Sequence, residues 1–110
     1  MAVSYDTVLS NDRITRQGKR KKMFYYVYIL LLSNKKLYTG STSNLVERVD
    51  KHKKGYVIST KGKGPLKLIH YEAYLNKKDA SRREKYLKTT EGKRFLRQQI
   101  KLLLKELKYI

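Results

Sequence analysis

The sequence predicts an α+β domain: a small three-stranded antiparallel sheet flanked by helices, in the order β-β-α-β-α-α. A ten-residue apolar run, "MFYYVYILLL" (Met23 to Leu32), is rich in β-branched and aromatic residues, as a buried strand is. A later segment, Leu96 to Leu107, repeats apolar residues at helical spacing among lysines. Turn-forming residues separate the segments, so each is a distinct element of one small domain.

The first two strands form a predicted hairpin. They span about residues 24–32 and 37–42, and "SNKK" (33–36) between them is typical of a hairpin turn. With a four-residue loop, Tyr28 and Tyr38 would face opposite sides of the sheet, because side chains alternate along a strand. A three- or five-residue loop, or a bulge, would bring both tyrosines to one face.

The first predicted helix follows the hairpin. Asn44 and Glu47 have the spacing of a helix cap, and the helix runs from Leu45 to Lys54 and ends at Gly55. Residues 55–65 hold the only proline and three of the six glycines, which predicts a loop.

The third strand is predicted at Leu66–Leu75 and is followed by two helices. Within the strand, three residues are expected to share one face: Leu66, Leu68 and His70. Asn76 caps a helix over about 77–88, and a last helix covers about 91–107. The last helix has one apolar stripe: Leu96, Ile100, Leu103 and Leu107.

The charge of the chain points to a polyanionic partner. Lys and Arg number 27 against 9 Asp and Glu, a formal charge of +18 in 110 residues, which favours nucleic acid. Residues 1–22 have no strand or helix period and are expected to be a poorly ordered basic arm. Residues 23–110, the predicted domain, still carry +14.

Other classes of protein fit poorly. The longest apolar run is about half of the roughly 20 residues that a membrane-spanning helix needs, and residues 1–22 lack the apolar region of a signal peptide. The absence of cysteine excludes disulfides and thiolate zinc sites. We therefore expect a cytoplasmic protein with no membrane association and no obligate protein partner.

Arg48 and His52 are the first candidate functional pair. They lie four residues apart on the first helix, so both side chains project from one face, at the border of the stripe that buries Leu45 and Val49. A guanidinium suits phosphate binding, and a neutral imidazole accepts a proton near neutral pH. The alternative is an ordinary solvated basic helix.

Glu84 is the best candidate metal ligand. It lies on the inward stripe of its helix, between Ala80 and Leu87, where a carboxylate is costly unless it is paired or binds a metal. A structural ion pair is an equally reasonable interpretation, because four cationic residues are close in sequence: Arg82, Arg83, Lys85 and Lys88.

The tyrosines have two interpretations. The chain holds ten, and four of them crowd the first hairpin: Tyr25, Tyr26, Tyr28 and Tyr38. Strand tyrosines usually serve packing, but aromatic rings among lysines also suit base stacking.

Taken in order, these segments resemble the GIY-YIG nuclease family over residues 24 to about 97. "YVY" (26–28) stands where the family has G-I-Y, and "YTG" (38–40) where it has Y-I-G. "NLVERVDKH" (44–52) resembles its Arg-x-x-x-His helix, and "ASRREKYLK" (80–88) the segment with its metal-binding glutamate. The chain is most similar to the short stand-alone branch, which is like the N-terminal nuclease domain of the excision-repair endonuclease.

Two positions depart from the family pattern. Tyr26 replaces the glycine of the first motif, a change that the short branch tolerates. The asparagine that several members carry after the glutamate has no clear equivalent, and Gln99 is only a candidate for its place.

The resemblance implies a metal-dependent DNA endonuclease with a structure-directed, repair-related role. Glu84 would hold Mg²⁺ or Mn²⁺, Arg48 would bind the scissile phosphate, and Tyr28 would take a proton from the attacking water, with His52 and Tyr38 unranked as relay or backup base. Nearby positive charge would have to favour the Tyr28 phenolate. Further expected phosphate contacts are Gly40, Ser41, Lys51, Lys61, Lys63 and Lys88.

Two other functions remain open. A nucleic-acid-binding module, for DNA or RNA, would explain the charge and the fold with little or no cleavage. A small basic ribosome-associated protein would explain the charge and tyrosines but not the ordered motifs.

Overall fold

The computed structural model describes residues 13–14, 20–21 and 23–108. In the N-terminal region, β1 (Arg13–Ile14) pairs antiparallel with β2 (Arg20–Lys21). The rest of residues 1–22, for which the sequence predicts poor order, lies outside the described residues.

The main sheet has three antiparallel strands, which confirms the predicted α+β class. They are β3 (Tyr25–Leu31), β4 (Leu37–Thr42) and β5 (Lys67–Tyr74), and their order in the sheet is β4-β3-β5. The apolar sequence of β3 is explained by this central position, because both faces of the strand are covered.

The described residues form four α-helices beside the sheet. They are α1 (Leu45–Lys53), α2 (Lys77–Leu87), α3 (Thr90–Gln99) and α4 (Lys101–Glu106), and a 3₁₀ turn (Ile58–Thr60) lies in the loop before β5. None of the helices in the described part of the chain has the length and apolar character to span a membrane.

The predicted single last helix is wrong. The backbone of Ile100 leaves helical geometry at φ −109° and ψ 28°, which divides the segment into α3 and α4. Because of this break, the buried residues differ from the predicted apolar stripe. Leu96, Ile100 and Leu104 are buried, whereas Leu103 and Leu107 are only half-buried.

The side chains of β3 supply two cores, one on each face of the sheet. Val27 and Ile29 pack against α2, α3 and α4, with buried partners Ala80, Leu87, Leu96, Ile100 and Leu104. Tyr28 and Leu30 face α1 and the following loop, with buried partners Leu32, Val49 and Leu66. The strand between the two cores is therefore fixed from both sides.

A β-bulge in β5 overturns the predicted alternation of the third strand. Leu68 pairs with Leu30 and His70 pairs with Ile29, so Ile69 is an extra residue between them. Leu68 packs in the core under α1, whereas His70, paired with Ile29, lies on the α2 face. His70 and Leu68 are thus on opposite faces, and the prediction that they share one was wrong.

Candidate active site

Tyr28, His52 and Thr60 form a buried chain of hydrogen bonds under α1. The Tyr28 hydroxyl lies 2.8 Å from His52 Nε2, and His52 Nδ1 lies 2.7 Å from Thr60 Oγ1. The exposed fractions of the three side chains are only 1%, 2% and 1%. His52 is therefore inside the core and not, as its helical position predicted, at the border of the apolar stripe.

The hairpin register brings Tyr38 to the same face. Leu31 pairs with Leu37, so the loop holds five residues, one of the lengths that allow convergence. The Tyr38 ring lies 5.1 Å from the His52 ring and 6.4 Å from the Tyr28 ring, centroid to centroid. Tyr38 packs on the imidazole, while the hydroxyl of Tyr28 is the one bonded to it.

Gly40 lies directly opposite Tyr28 in the β3–β4 ladder, and the absence of a side chain there makes room for the tyrosine. A Cβ at position 40 would overlap the Tyr28 hydroxyl and the ring carbon that bears it. Gly40, a predicted phosphate contact, is a strand residue, and it lets the Tyr28 hydroxyl pass over the edge strand.

Arg48 connects the buried chain to solvent. Its Nε donates to the Tyr28 hydroxyl at 3.4 Å, and the side chain is only half-buried. The pKa of Arg48 is raised, chiefly by this hydrogen bond. The remaining guanidinium nitrogens are geometrically suited to grip two oxygens of one phosphate.

The protonation states follow from burial. Burial raises the pKa of Tyr28, and the hydrogen bond and charge of Arg48 are too weak to reverse that effect. The expectation that nearby positive charge favours the phenolate is therefore wrong for the protein alone. Burial, and then the charge of Arg48, lowers the pKa of His52. At neutral pH Tyr28 is a phenol and His52 a neutral imidazole.

The hydrogen bonds of His52 fit a neutral imidazole with its hydrogen on Nδ1. In this tautomer the Tyr28 hydroxyl, whose oxygen accepts from Arg48 Nε, donates to His52 Nε2. His52 Nδ1–H then donates to Thr60 Oγ1. The nitrogen that faces Tyr28 is the proton acceptor in this arrangement.

Glu84 projects from α2 to the edge strand β4. One carboxylate oxygen accepts from Ser41 Oγ at 2.6 Å, and the other pairs with Lys88 Nζ at 2.8 Å. Burial opposes ionisation, but Lys88 and Ser41, with the charge of Lys85, outweigh it and lower the pKa of Glu84. The predicted ion pair is present, and the carboxylate is anionic.

The carboxylate of Glu84 has the chemistry that a divalent cation requires. Among the described residues, no group of three or more His, Cys, Asp or Glu side chains is placed to hold a metal ion. Ions such as Mg²⁺ commonly use one or two carboxylates and keep several waters, so a single carboxylate such as Glu84 fits this kind of coordination. The two halves of the site are electrostatically connected, since the charge of Glu84 contributes to the raised pKa of Tyr28.

Three other predicted phosphate contacts are exposed lysines of α1 and of the loop before β5. Lys51 forms an exposed ion pair with Glu47 at 3.0 Å, and Lys61 and Lys63 lie exposed in the loop that begins directly after Thr60. A groove beside Ser41 is lined by the hydroxyl groups of Ser41, Thr42, Ser43 and Ser81 and by Lys77, together with Tyr25 and Ala80. Hydroxyl and ammonium groups of this kind are common phosphate ligands.

Sequence reasoning missed Thr60 and the neighbours of Glu72. Glu72 accepts hydrogen bonds from Tyr74, Arg83 and His70 at 2.6 to 3.3 Å. These bonds outweigh burial and lower its pKa, while burial and Glu72 raise the pKa of Tyr74 to about 12. The Thr60 contact spans an irregular loop and gives no periodic pattern in the sequence.

Gln99 belongs to this second polar group. Its Oε1 accepts from Arg83 Nη2 at 3.4 Å, and Arg83 is bonded to Glu72. Among the described residues, none of the hydrogen bonds of Glu84 involves Gln99. The structure therefore gives Gln99 a partner other than the metal-ligand candidate.

The chain is similar to several known proteins. The family model for the GIY-YIG catalytic domain matches residues 24–98. A UPF0213 protein of Clostridium perfringens is 45% identical over 64 residues, 57% of this chain and 69% of that protein. One from Staphylococcus aureus is 36% identical over 74 residues, 66% of this chain and 90% of that protein.

A solved structure is also similar. The solution NMR structure of a UPF0213 protein from Bacillus halodurans is 35% identical, with a TM-score of 0.45. The match covers 67% of this chain and 82% of that one.

Proposed function

This chain belongs to the GIY-YIG family, and from that membership and the site geometry we propose that it is a divalent-metal-dependent endonuclease that hydrolyses DNA phosphodiester bonds. The observation that carries the proposal is the Tyr28–His52 hydrogen bond of 2.8 Å, with Arg48 bonded to the same hydroxyl. A protein that only binds nucleic acid has no need for a buried proton acceptor beside its phosphate-binding arginine.

Arg48 and Glu84 handle the phosphate. Arg48 binds the non-bridging oxygens of the scissile phosphate and stabilises the charge that develops on them. Glu84, with Ser41, would hold a Mg²⁺ or Mn²⁺ ion, and such an ion would supply further neutralisation of that charge and acidify a water molecule. Lys88 would have to release Glu84 for the carboxylate to bind the ion, and its ammonium group would then be available to a DNA phosphate.

Tyr28 and His52 move the proton. The attacking water gives a proton to the Tyr28 oxygen while Tyr28 passes its own to His52 Nε2, as the water oxygen bonds to phosphorus and the leaving oxygen departs. Tyr28 therefore never has to exist as a stable phenolate, which its raised pKa disfavours. His52 ranks above Tyr38 as the relay, because it is the one hydrogen-bonded to Tyr28.

We further expect recognition of DNA structure more than of sequence, as in a repair-related role. The surroundings of the site supply charge and hydroxyl groups, from Lys51, Lys61, Lys63 and the groove beside Ser41. Such groups contact phosphates, and phosphate contacts carry no sequence information.

A nucleic-acid-binding module is the second candidate, and one observation favours it. Lys88 neutralises Glu84 at 2.8 Å, as in a purely structural ion pair. If that pair persists with Mg²⁺ present, the carboxylate is not a metal ligand. Binding without cleavage would then follow from the net charge alone.

The test is cleavage of supercoiled plasmid and of single-stranded and branched DNA with Mg²⁺ or Mn²⁺. Wild type is compared with Glu84→Ala and Arg48→Ala, and with the matched control Glu47→Ala, which also removes a glutamate paired with a lysine four residues later. We expect the first two variants to lose cleavage and the control to keep it. No cleavage of any substrate, or equal cleavage by Glu84→Ala, would refute the proposal; a retained salt-sensitive gel shift in EDTA would then favour the binding module.

A further inference from the structure

One end of the α1 face of the sheet carries an exposed patch of three aromatic side chains. Phe24 and Tyr26 lie on β3 or next to it, with ring centroids 6.5 Å apart, and Tyr71 on β5 meets Tyr26 edge-on at 5.9 Å. Tyr71 is 54% exposed, and the other two are half-buried. None of the three belongs to either hydrophobic core.

This aromatic patch is continuous with the candidate active site. Tyr71 is the cross-strand partner of Tyr28, and Tyr26 precedes Tyr28 by two residues on the same face, about 7 Å along the strand. Tyr26 also pairs with Thr42, which lines the groove beside Ser41. A nucleic-acid strand held at Arg48 and Glu84 would place its neighbouring nucleotides over these rings.

The net charge of the protein indicates which kind of ligand would bind the aromatic patch. Two copies of this chain each carry a net charge of +18, and like charges oppose their association. A polyanion with flat aromatic groups matches both the charge and the rings, and such a ligand is nucleic acid. In a duplex each base is covered by its stacked neighbours, so only unpaired bases can lie on a protein ring.

We propose that the Phe24–Tyr26–Tyr71 patch stacks unpaired bases next to the scissile phosphate, so that the substrate is single-stranded DNA or a branch with a single-stranded arm. The proposal rests on the proposed nuclease function and names its substrate class. Tyr26 contributes a ring where the family pattern has glycine, so this chain has one more stacking group than the pattern requires.

The test measures binding of the full chain to fluorescent oligonucleotides in EDTA, where no cleavage occurs. Tyr71→Ala should weaken binding of single-stranded DNA by about 5- to 150-fold, and leave duplex binding unchanged. The matched control is Phe95→Ala, which removes a ring of similar exposure, 57%, on α3. The control should bind both DNAs as wild type does.

A strand of abasic sites separates base stacking from charge. It has the same phosphates but no bases, so wild type should bind it less tightly than ordinary single-stranded DNA, and Tyr71→Ala should bind the two alike. Because the chain has no tryptophan, Tyr71→Trp adds a single indole, whose fluorescence should be quenched by single-stranded DNA and not by duplex.

Two results would overturn the inference: equal single-strand affinity for Tyr71→Ala and wild type, or a change of oligomeric state in Tyr71→Ala, which would make the patch a protein interface. Circular dichroism checks that each variant is folded. Failure of the nuclease proposal is distinguishable, since it is read from cleavage by Glu84→Ala and not from binding in EDTA.

Discussion

Tyr28→Phe tests the proton relay by removing a single oxygen atom. That oxygen lies 2.8 Å from His52 Nε2 and 3.4 Å from Arg48 Nε, and the ring itself stays in the core. Arg48 is half-buried and can replace the lost bond with water, whereas His52 Nε2 is left buried without a donor. An unsatisfied buried acceptor costs about 1–3 kcal/mol of unfolding free energy.

The effect on cleavage should be much larger than the effect on stability. Loss of a general base lowers the rate by about 10²–10⁴-fold, so Tyr28→Phe should cleave DNA at or below a hundredth of the wild-type rate. Binding in EDTA should remain near the wild-type level, because Arg48 and the lysines are intact. The assay is single-turnover cleavage at saturating protein, with unfolding by urea measured in parallel.

The pH profile of the wild type provides the refuting result. A relay through neutral His52 predicts a rate that falls only as His52 gains a proton, below its ordinary pKa of about 6.5, and is flat at higher pH. A rate that climbs steadily towards pH 10 would mean that Tyr28 acts as a preformed phenolate. Cleavage by Tyr28→Phe within a factor of a few of wild type would show that Tyr28 is not the base at all.

Two further predictions concern the partners of Tyr28. Thr60→Val keeps the shape of Thr60 but leaves His52 Nδ1–H without an acceptor. We expect a loss of about 1–3 kcal/mol of unfolding free energy, a changed His52 tautomer ratio by ¹⁵N NMR and slower cleavage, and Thr60→Ser should restore all three. An unchanged tautomer ratio would contradict the assigned hydrogen bond. Burial lowers the pKa of His52 in the folded chain. Below about pH 6.5, the ordinary pKa of histidine, the unfolded chain therefore binds a proton that the folded chain does not. The free energy of unfolding should consequently fall as the pH drops below that value. Urea midpoints measured against pH should show this slope in wild type and not in His52→Gln; equal slopes would refute it.

For residues on helices and strands, the direction of the side chain could be predicted from the sequence, because spacing along a regular element determines which face each side chain occupies. Arg48 and His52 share a face of α1, and the inward stripe through Ala80 and Leu87 places Glu84 towards the sheet. The cap at Asn44 is as predicted, since its side chain accepts from the Glu47 amide. In these positions the local geometry alone determines where the side chain points.

The remaining features depend on contacts that no local pattern encodes. Thr60 reaches His52 through an irregular loop, and the depth of His52 depends on how closely α1 approaches Tyr28 across the sheet. The break at Ile100 lies in a segment with uninterrupted helical periodicity. The pKa of Tyr28 required knowledge of its burial, because charge alone predicts the opposite direction.

The bulge at Ile69 determines which side chains each face of the sheet presents. If Ile69 paired with Ile29 instead of bulging out of the ladder, the register that joins Leu30 to Leu68 would continue, and Tyr28 would lie opposite His70. Every later residue of β5 would then change sides: Tyr71 would turn to the α2 face and the Glu72 carboxylate to the α1 face. A flattened bulge would thus replace an aromatic ring with a negative charge that repels DNA, whereas deletion of Ile69 would leave every later pairing as it is. The position of Tyr71 therefore depends on the bulge and not on the number of residues in β5.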